Sequence, residues 1–161
     1  MNTKFSAGPV VIRAASLTPA AGALTTVVGT VSSDAADATS GAIALQAASV
    51  VVVRMTYTRH GSSTTGRPRV AIYGSIDAAT TSAASVANWM PVMVLDSSSF
   101  SSGTVELYAE VQQLNPTAAG ASTFGTHPVN VSWFPWMRVV VGDVDTTNPG
   151  AFTNICFGAS T

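Results

Sequence analysis

Two histidines, His60 and His127, are the side chains of this sequence that could act as general bases near neutral pH. His60 begins a loop rich in Gly, Ser and Thr, and His127 precedes a proline. The sequence contains no G-x-S-x-G turn for a nucleophilic serine, no P-loop, no dinucleotide fingerprint and no H-E-x-x-H helix. We therefore expect both histidines to lie in loops, and we expect neither catalytic residues nor a bound cofactor.

A second candidate for chemistry is the segment GDVDTTNPG, residues 142–150. Asp143, Asp145 and Thr147 place oxygen atoms at alternate positions, as a calcium-binding loop does. An asparagine stands where such a loop needs glycine, and Asn154 stands where it needs a bidentate glutamate. The NPG triplet is ordinary turn chemistry. The segment is therefore predicted to be a polar hairpin turn that holds no metal ion.

Four arginines flank one loop and could gather into a basic patch: Arg54, Arg59, Arg67 and Arg69. Several arginines together can bind phosphate. Asp77 is close in sequence, however, and the rigid fork of arginine is favoured for pairing with carboxylates at subunit contacts. The net charge of −1 also gives no field that would draw the chain to nucleic acid or to an anionic membrane. We predict no nucleic-acid partner and no membrane partner.

The composition limits the class of protein further. A chain of 161 residues suffices for one domain with a sizeable core, and 47% of its residues are apolar. Only 9% are charged, against about a quarter in ordinary globular proteins. So few charges protect a monomer poorly against association, so we expect much of the surface to lie against partner proteins. Cys156, the only cysteine, is predicted to be a buried thiol without a disulfide.

The N-terminal segment lacks the features of a targeting signal. Pro9 and Arg13 interrupt the apolar run that a secretory signal peptide needs. No apolar run approaches the roughly 18 residues that cross a bilayer as a helix. We therefore expect the protein to be synthesised in a cytoplasm.

Strand signals recur along the chain, whereas sustained helical periodicity is absent. Short segments rich in β-branched or aromatic residues are bounded by Gly, Pro, Ser or Asn. They are residues 9–15, 25–31, 41–48, 50–58, 68–76, 89–95, 104–112, 127–134, 136–144 and 151–158. Such a series predicts an all-β fold: a jelly-roll-like antiparallel β-sandwich. Residues 1–24 are predicted to form an extended N-terminal arm, and residues 25–161 a single β-sandwich domain.

Alternating residue types indicate that several of these strands have one buried face. In the segment 136–144, Met137, Val139 and Val141 share one face. In the segment 68–76, the corresponding face holds Val70, Ile72, Gly74 and Ile76. Glu106 and Glu110 also share a face of their predicted strand, which is the pattern of a solvent-exposed edge rather than of a glycosidase carboxylate pair.

The aromatic residues offer a candidate contact surface around Pro135. Neighbouring side chains of a strand point to opposite faces, so Trp133, Phe134 and Trp136 cannot all enter one core. Either Pro135 bends the chain and both tryptophans cover the end of the sandwich, or one tryptophan anchors a protein interface, where Trp is enriched. With apolar residues of the N-terminal arm, these aromatics form the predicted partner-contact set: Phe5, Val10, Val11, Ile12, Trp133, Phe134 and Trp136.

Two motifs give the sequence a family resemblance. The first is G-S-x-D followed by N-W, here residues 74–77 and 88–89, which closes a hairpin through a long connection at 78–87. The second is an aromatic-Pro-aromatic-x-Arg strand, here FPWMRVVVGDV, followed by a final strand that ends near CFGAST. Over roughly residues 50–161 the chain resembles small β-sandwich structural proteins in the virions of tailed bacteriophages, among them capsid decoration (cement) proteins.

The resemblance implies a non-enzymatic protein that binds the outer surface of a phage head and stabilises the joints between capsomers. It implies synthesis in the bacterial host cytoplasm, the major capsid protein or other virion proteins as partners, and self-association, for example as a trimer. One alternative is a carbohydrate-binding or host-recognition module of a phage fibre. Its sugar-stacking rings would be Trp89, Tyr108, Trp133 and Trp136. Another alternative is a tail or head–tail connector component.

Overall fold

The computed structural model describes residues 10–45, 50–76, 89–96, 104–110 and 134–160. Within these ranges the regular structure consists of nine β-strands, and no helix is present. The strands are β1 (Val10–Arg13), β2 (Thr25–Thr26), β3 (Ile43–Ala44), β4 (Val50–Thr58), β5 (Pro68–Ser75), β6 (Met90–Asp96), β7 (Thr104–Glu110), β8 (Trp136–Asp143) and β9 (Ala151–Ser160). Each coincides with a predicted strand. The remaining predicted strand, 127–134, lies outside the described residues except for Phe134.

The strands form two antiparallel sheets. The first sheet has the order β1-β9-β4-β7, and the second has the order β2-β8-β5-β6, with β3 also paired to β8. The short strands β2 and β3 follow one another along the same edge of β8, where Thr25 is opposite Val141 and Ile43 is opposite Met137. The predicted all-β antiparallel fold in two sheets is therefore confirmed.

One hydrophobic core lies between the two sheets and draws on both. The first sheet contributes alternate residues of β4, among them Val53 and Met55, which are at most 1% exposed. The second sheet contributes Met137, Val139 and Val141 of β8, all fully buried, as their alternation predicts. The largest fully buried side chains of the core are Tyr57, Phe152, Phe157, Ile12, Ile43, Met55, Ile72, Met137 and Ile155.

Strand β9 contains a bulge that changes which side chains reach the core. Two steps along β4, from Arg54 to Thr56, correspond to three steps along β9. Asn154 sits at this irregularity with φ 52°, a left-handed conformation that asparagine tolerates better than most residues. The extra residue allows Phe152 and Ile155, three positions apart, both to be fully buried.

Residues 10–24, the described part of the predicted arm, pack against the sandwich. Strand β1 pairs with β9, and Ile12 is fully buried in the core. Leu17 exchanges two backbone hydrogen bonds with Phe152, at 2.9 and 2.8 Å. Arg13 uses three nitrogens on backbone carbonyls: Nε donates to Ala15 at 3.0 Å, Nη2 to Ser16 at 3.1 Å and Nη1 to Val28 at 3.1 Å.

Aspartates organise the polar segment between β2 and β3. The carboxylate of Asp34 accepts hydrogen bonds from the backbone N–H groups of Ala14, Thr30 and Val31, at 3.1, 2.6 and 3.2 Å. Asp37 accepts from the backbone N–H groups of Ser40 and Thr39, at 2.7 and 2.9 Å, and these bonds lower the pKa of Asp37. Both carboxylates therefore hold the loop conformation.

Candidate functional site

The two motifs that carry the family resemblance meet on the outer face of the second sheet. Arg138 of β8 is opposite Tyr73 of β5, and Tyr73 is opposite Pro91 of β6, so these three residues form one row across the sheet. The guanidinium carbon of Arg138 lies over the ring of Trp89 at 4.7 Å and over the ring of Tyr73 at 5.3 Å. Both distances are within the range of cation–π attraction. We call Tyr73, Trp89 and Arg138 the arginine stack.

The arginine stack is poorly solvated. Trp89 is only 6% exposed, and Arg138 is half-buried. Burial lowers the pKa of Arg138 from its ordinary value, although a guanidinium keeps its charge at neutral pH. The Nε atom of Arg138 is shielded from solvent and has no hydrogen-bond partner among the residues that the structure describes. The stack therefore holds a positive charge whose main contacts are aromatic rings.

The sequence of β6 explains how Trp89 and Pro91 reach these positions. The register between β5 and β6 shifts by one residue between Ile72 and Tyr73, which places Pro91 opposite Tyr73. Proline lacks a backbone N–H and is tolerated at bulges and in edge strands, and β6 is the edge strand of its sheet. The extra residue of the bulge is Val92, and the pairing with β5 continues beyond it through Pro91 and Met90.

Phe134 of the second motif packs so closely on β5 that Gly74 cannot carry a side chain. A Cβ atom at Gly74 would stand 2.5 Å from Cγ of Phe134, so the Phe134 ring occupies the space that any other residue would fill. Phe134 packs against the hydrophobic core, and Trp136 is opposite Ser75 on the same pair of strands. The glycine of the first motif and the aromatic residues of the second therefore fit each other.

Exposed apolar side chains occur on β6 and just after β5. Ile76 is 65% exposed, Met90 is 45% exposed and Val94 is 51% exposed. Met90 and Val94 belong to β6, and Ile76 follows the end of β5. We call these three residues the β6 strip. Scattered exposed apolar residues are normal, but two of these three belong to the edge strand β6, where Met90 is opposite Gly74 and Val94 is opposite Ala71, and an edge strand is accessible to a protein partner.

The predicted partner-contact residues are not gathered into one surface. Phe5 and Trp133 lie outside the described residues. Val10, Phe134 and Trp136 are half-buried, and Val11 is 44% exposed on β1. The side chain of Ile12 belongs to the core and is not presented to a partner, because the pairing of β1 with β9 directs it inward.

Asp143 is the centre of a buried network at the end of β8. Its Oδ2 accepts from the Tyr57 hydroxyl at 2.6 Å and from the backbone N–H of Gly150 at 2.7 Å. Its Oδ1 accepts from the backbone N–H groups of Asp145 and Arg67, at 2.8 and 3.0 Å. Burial, together with the bond to Asp143, raises the pKa of Tyr57 far above its ordinary value, so the hydroxyl remains a donor.

Asp145 holds the rest of the β8–β9 turn. Its Oδ2 accepts from the Ser63 hydroxyl at 2.5 Å, and its Oδ1 accepts from the backbone N–H groups of Thr147 and Asn148, at 2.8 and 2.9 Å. Both carboxylates thus receive hydrogen-bond donors, which is the arrangement of a polar turn. Among the residues that the structure describes, no group of three His, Cys, Asp or Glu side chains could hold a metal ion.

The Asp145 network predicts a specific acid sensitivity. The bond from Ser63, followed by those from Asn148 and Thr147, lowers the pKa of Asp145 from 3.8 to about 2. A carboxyl group with a lowered folded pKa stabilises the fold above its unfolded pKa and loses that contribution as the pH falls. We expect the free energy of unfolding to decrease between about pH 4 and pH 2 partly through this group.

Urea denaturation at pH 7, 4 and 2 measures this contribution, with Asp145→Asn as the comparison. The variant should be less stable at pH 7, and its stability should depend less on pH across the acid range, because it lacks the titrating group. Equal pH slopes for the two proteins would contradict the assignment.

The histidines and arginines do not assemble a site in the described part of the chain. His60 is exposed and its Nδ1 accepts the backbone N–H of Ser62 at 3.2 Å, whereas His127 lies outside the described residues. Arg54 is on β4 of the first sheet and Arg69 is on β5 of the second, both exposed, so these two do not share one patch.

Cys156 and the aromatic rings bear on the remaining expectations. Cys156 is half-buried on β9, and burial raises the pKa of its thiol. A sugar-stacking platform needs exposed rings, but Trp89 is almost completely buried and lies against Arg138. Trp136 is half-buried, Trp133 lies outside the described residues, and Tyr108 is on β7 opposite Arg54.

Sequence reasoning identified Trp89 and Arg138 as motif residues but did not bring them together. It gave no role to Tyr73 and none to Met90 or Val94. No local sequence pattern signals this proximity, which arises from the pairing of β5 with both β6 and β8.

No helix within the described ranges is long and apolar enough to span a membrane.

Comparisons of the whole chain with family models, with curated proteins and with solved structures found no match.

Proposed function

We propose that this chain is a non-enzymatic structural protein of a tailed-bacteriophage virion, and specifically a capsid decoration protein that binds the outer surface of the head. The proposal starts from the two motifs of the family resemblance. It is supported by their arrangement, because Gly74 fits Phe134 and Trp89 stacks on Arg138. Motif residues that are far apart in the sequence therefore contact each other in the structure.

The strand order supports a jelly-roll-like connectivity. The chain crosses between the sheets at every step except β2–β3 and β5–β6. A jelly roll places eight strands in two sheets, and β2 and β3 together occupy one strand position beside β8.

The β6 strip is the observation on which the proposed function depends most. Met90 and Val94 of the edge strand β6, and Ile76 after the end of β5, are each at least 45% exposed, in a chain with only 9% charged residues. A standard protein interface covers about 800 Å² of each partner. Burial of apolar surface contributes about 25 cal/mol per Å² before the cost of association is subtracted. A capsid subunit that covers the strip would therefore gain binding free energy from side chains already in place.

The described aspartates favour a binding role over catalysis. Asp34, Asp37, Asp143 and Asp145 each accept several hydrogen bonds from their own loops or turns. A general base needs a lone pair directed at a substrate, and these oxygens are directed at backbone N–H groups instead.

Quantitative mass spectrometry of purified phage particles tests the proposal. We expect the chain to be present in a copy number of the same order as the major capsid protein. A few copies per particle would instead indicate a tail or connector component, and absence from the particles would overturn the proposal. A glycan-array screen of the purified chain provides a second readout, and specific sugar binding would favour the host-recognition alternative.

The N-terminal segment can be tested on the same particles. Deletion of residues 1–9 leaves β1 and the buried Ile12 intact, whereas deletion of residues 1–24 would also remove part of the core. If residues 1–9 contact the capsid, the shorter deletion should reduce retention on heated or osmotically shocked particles without changing the melting temperature of the free chain. Undiminished retention would contradict a role for these residues.

A further inference from the structure

We propose that the arginine stack is a binding site for a planar carboxylate, supplied by an Asp or Glu side chain of the protein that this chain contacts. The proposal rests on the proposed function for the identity of the partner, a protein surface. The chemistry of the site depends only on Tyr73, Trp89 and Arg138, so it can be tested on the isolated chain.

The stack fixes the guanidinium in place. The Cζ atom of Arg138 lies 4.7 Å from the centre of the Trp89 ring and 5.3 Å from that of Tyr73. Contact with an aromatic face leaves the N–H groups of arginine free, because they point outward in the plane of the guanidinium. A group oriented in this way loses less conformational entropy when it binds a ligand.

Arg138 differs from Arg13 in its hydrogen bonds. Arg13 donates from Nε, Nη1 and Nη2 to three backbone carbonyls, so its donors are used within the chain. The shielded Nε of Arg138 has no partner, and across the described ranges no carboxylate is bonded to this side chain. A desolvated cation without an acceptor is unfavourable, and an external anion would offset that cost.

The surroundings of Arg138 favour a carboxylate over phosphate. Two parallel N–H groups of one guanidinium match the two oxygens of a carboxylate. Binding to nucleic acid draws on several cations that contact successive phosphates, whereas the row that contains Arg138 continues with Tyr73 and the exposed Pro91. Arg138 is bordered by the rings of Tyr73 and Trp89, and a protein interface has this composition, because arginine is enriched there and apolar contacts surround it.

NMR spectroscopy of the isolated, ¹⁵N-labelled chain tests the site directly. The probes are sodium acetate, sodium phosphate and sodium chloride at equal ionic strength, and the readouts are the Nε–H signal of Arg138 and the indole N–H signal of Trp89. We expect acetate to shift both signals saturably and chloride to leave them unchanged. In Arg138→Lys, which lacks the planar fork, the acetate-dependent shift of the indole signal should disappear. A stronger response to phosphate, or no saturable response to acetate, would overturn the proposal.

Substitutions separate binding from packing. For Arg138→Gln we expect retention on phage particles to weaken by at least about tenfold, the effect of losing one charge-assisted pair, with little change in melting temperature. Arg54→Gln removes the same charge from the opposite sheet and should retain particle binding. If Arg138→Gln keeps full retention, or if its loss of retention matches a loss of folding stability, the stack is a packing element and the proposal fails. If the unaltered chain is absent from particles, the proposed function fails, while the acetate titration still decides the carboxylate site.

Discussion

Replacing Asp143 by alanine is expected to lower the free energy of unfolding by about 3–5 kcal/mol. The Asp143 carboxylate is 4% exposed and accepts four hydrogen bonds, from the Tyr57 hydroxyl and from the backbone N–H groups of Arg67, Asp145 and Gly150. Alanine would leave these buried donors without an acceptor, and each unsatisfied buried group costs about 1–3 kcal/mol. Relaxation of the turn toward water would recover part of the sum. Equilibrium urea denaturation at neutral pH gives the measurement.

Two further variants show whether the network, rather than one bond, is responsible. Tyr57→Phe removes a single donor and should cost about 1 kcal/mol. Asp143→Asn retains the shape but turns an amide NH₂ toward backbone N–H groups, so its effect should approach that of alanine. If Asp143→Ala lost no more stability than Tyr57→Phe, Asp143 would not be the centre of the network.

A comparable loss of about 3–5 kcal/mol is expected for Phe152→Ala, which leaves a cavity in the core. Phe152 is fully buried, and its ring centre lies 5.1 Å from that of Tyr57 in a tilted arrangement. Its backbone also joins β9 to Leu17 through two hydrogen bonds, and these should survive the substitution. Thermal and chemical unfolding should both show the decrease.

Val94→Ala is the matched control for this prediction. Val94 is 51% exposed on β6, so its truncation should change the stability of the free chain by no more than about 0.5 kcal/mol. If the proposed function is correct, the same variant should nevertheless bind particles less well. A loss of stability as large as that of Phe152→Ala would mean that the side chain of Val94 is packed rather than exposed.

The long strands could be predicted from the sequence because local pattern and final structure agree there. Strands β4, β5, β8 and β9 match their predicted segments to within two residues at either end. The predicted strand 25–31 is reduced to two paired residues, and the described part of the predicted strand 41–48, residues 41–45, likewise pairs through two residues. Beyond Thr26 the chain turns, Asp34 draws together the backbone of Thr30 and Val31, and the valine side chain is 53% exposed. The strand propensity of the residues alone does not predict these contacts.

The candidate site was less accessible to sequence reasoning because it depends on register. Ile76 continues the alternation of Val70 and Ile72 and was predicted to share their face, but β5 ends at Ser75 and Ile76 is 65% exposed. The bulge in β6 has the same effect, since it shifts Pro91 by one place. Trp89 and Arg138 come from strands that are both neighbours of β5, and no local pattern specifies that arrangement.

The positions of β8 and β9 constrain how the chain can fold during synthesis. These two strands follow all the others in sequence, yet each lies in the interior of its sheet, β9 between β1 and β4 and β8 between β2 and β5. While the ribosome is still translating, β4 and β5 therefore lack a neighbour and present open backbone edges. Closure of both sheets requires these last two strands, so we expect the nascent polypeptide to expose edges that can pair with other chains until β8 and β9 are synthesised.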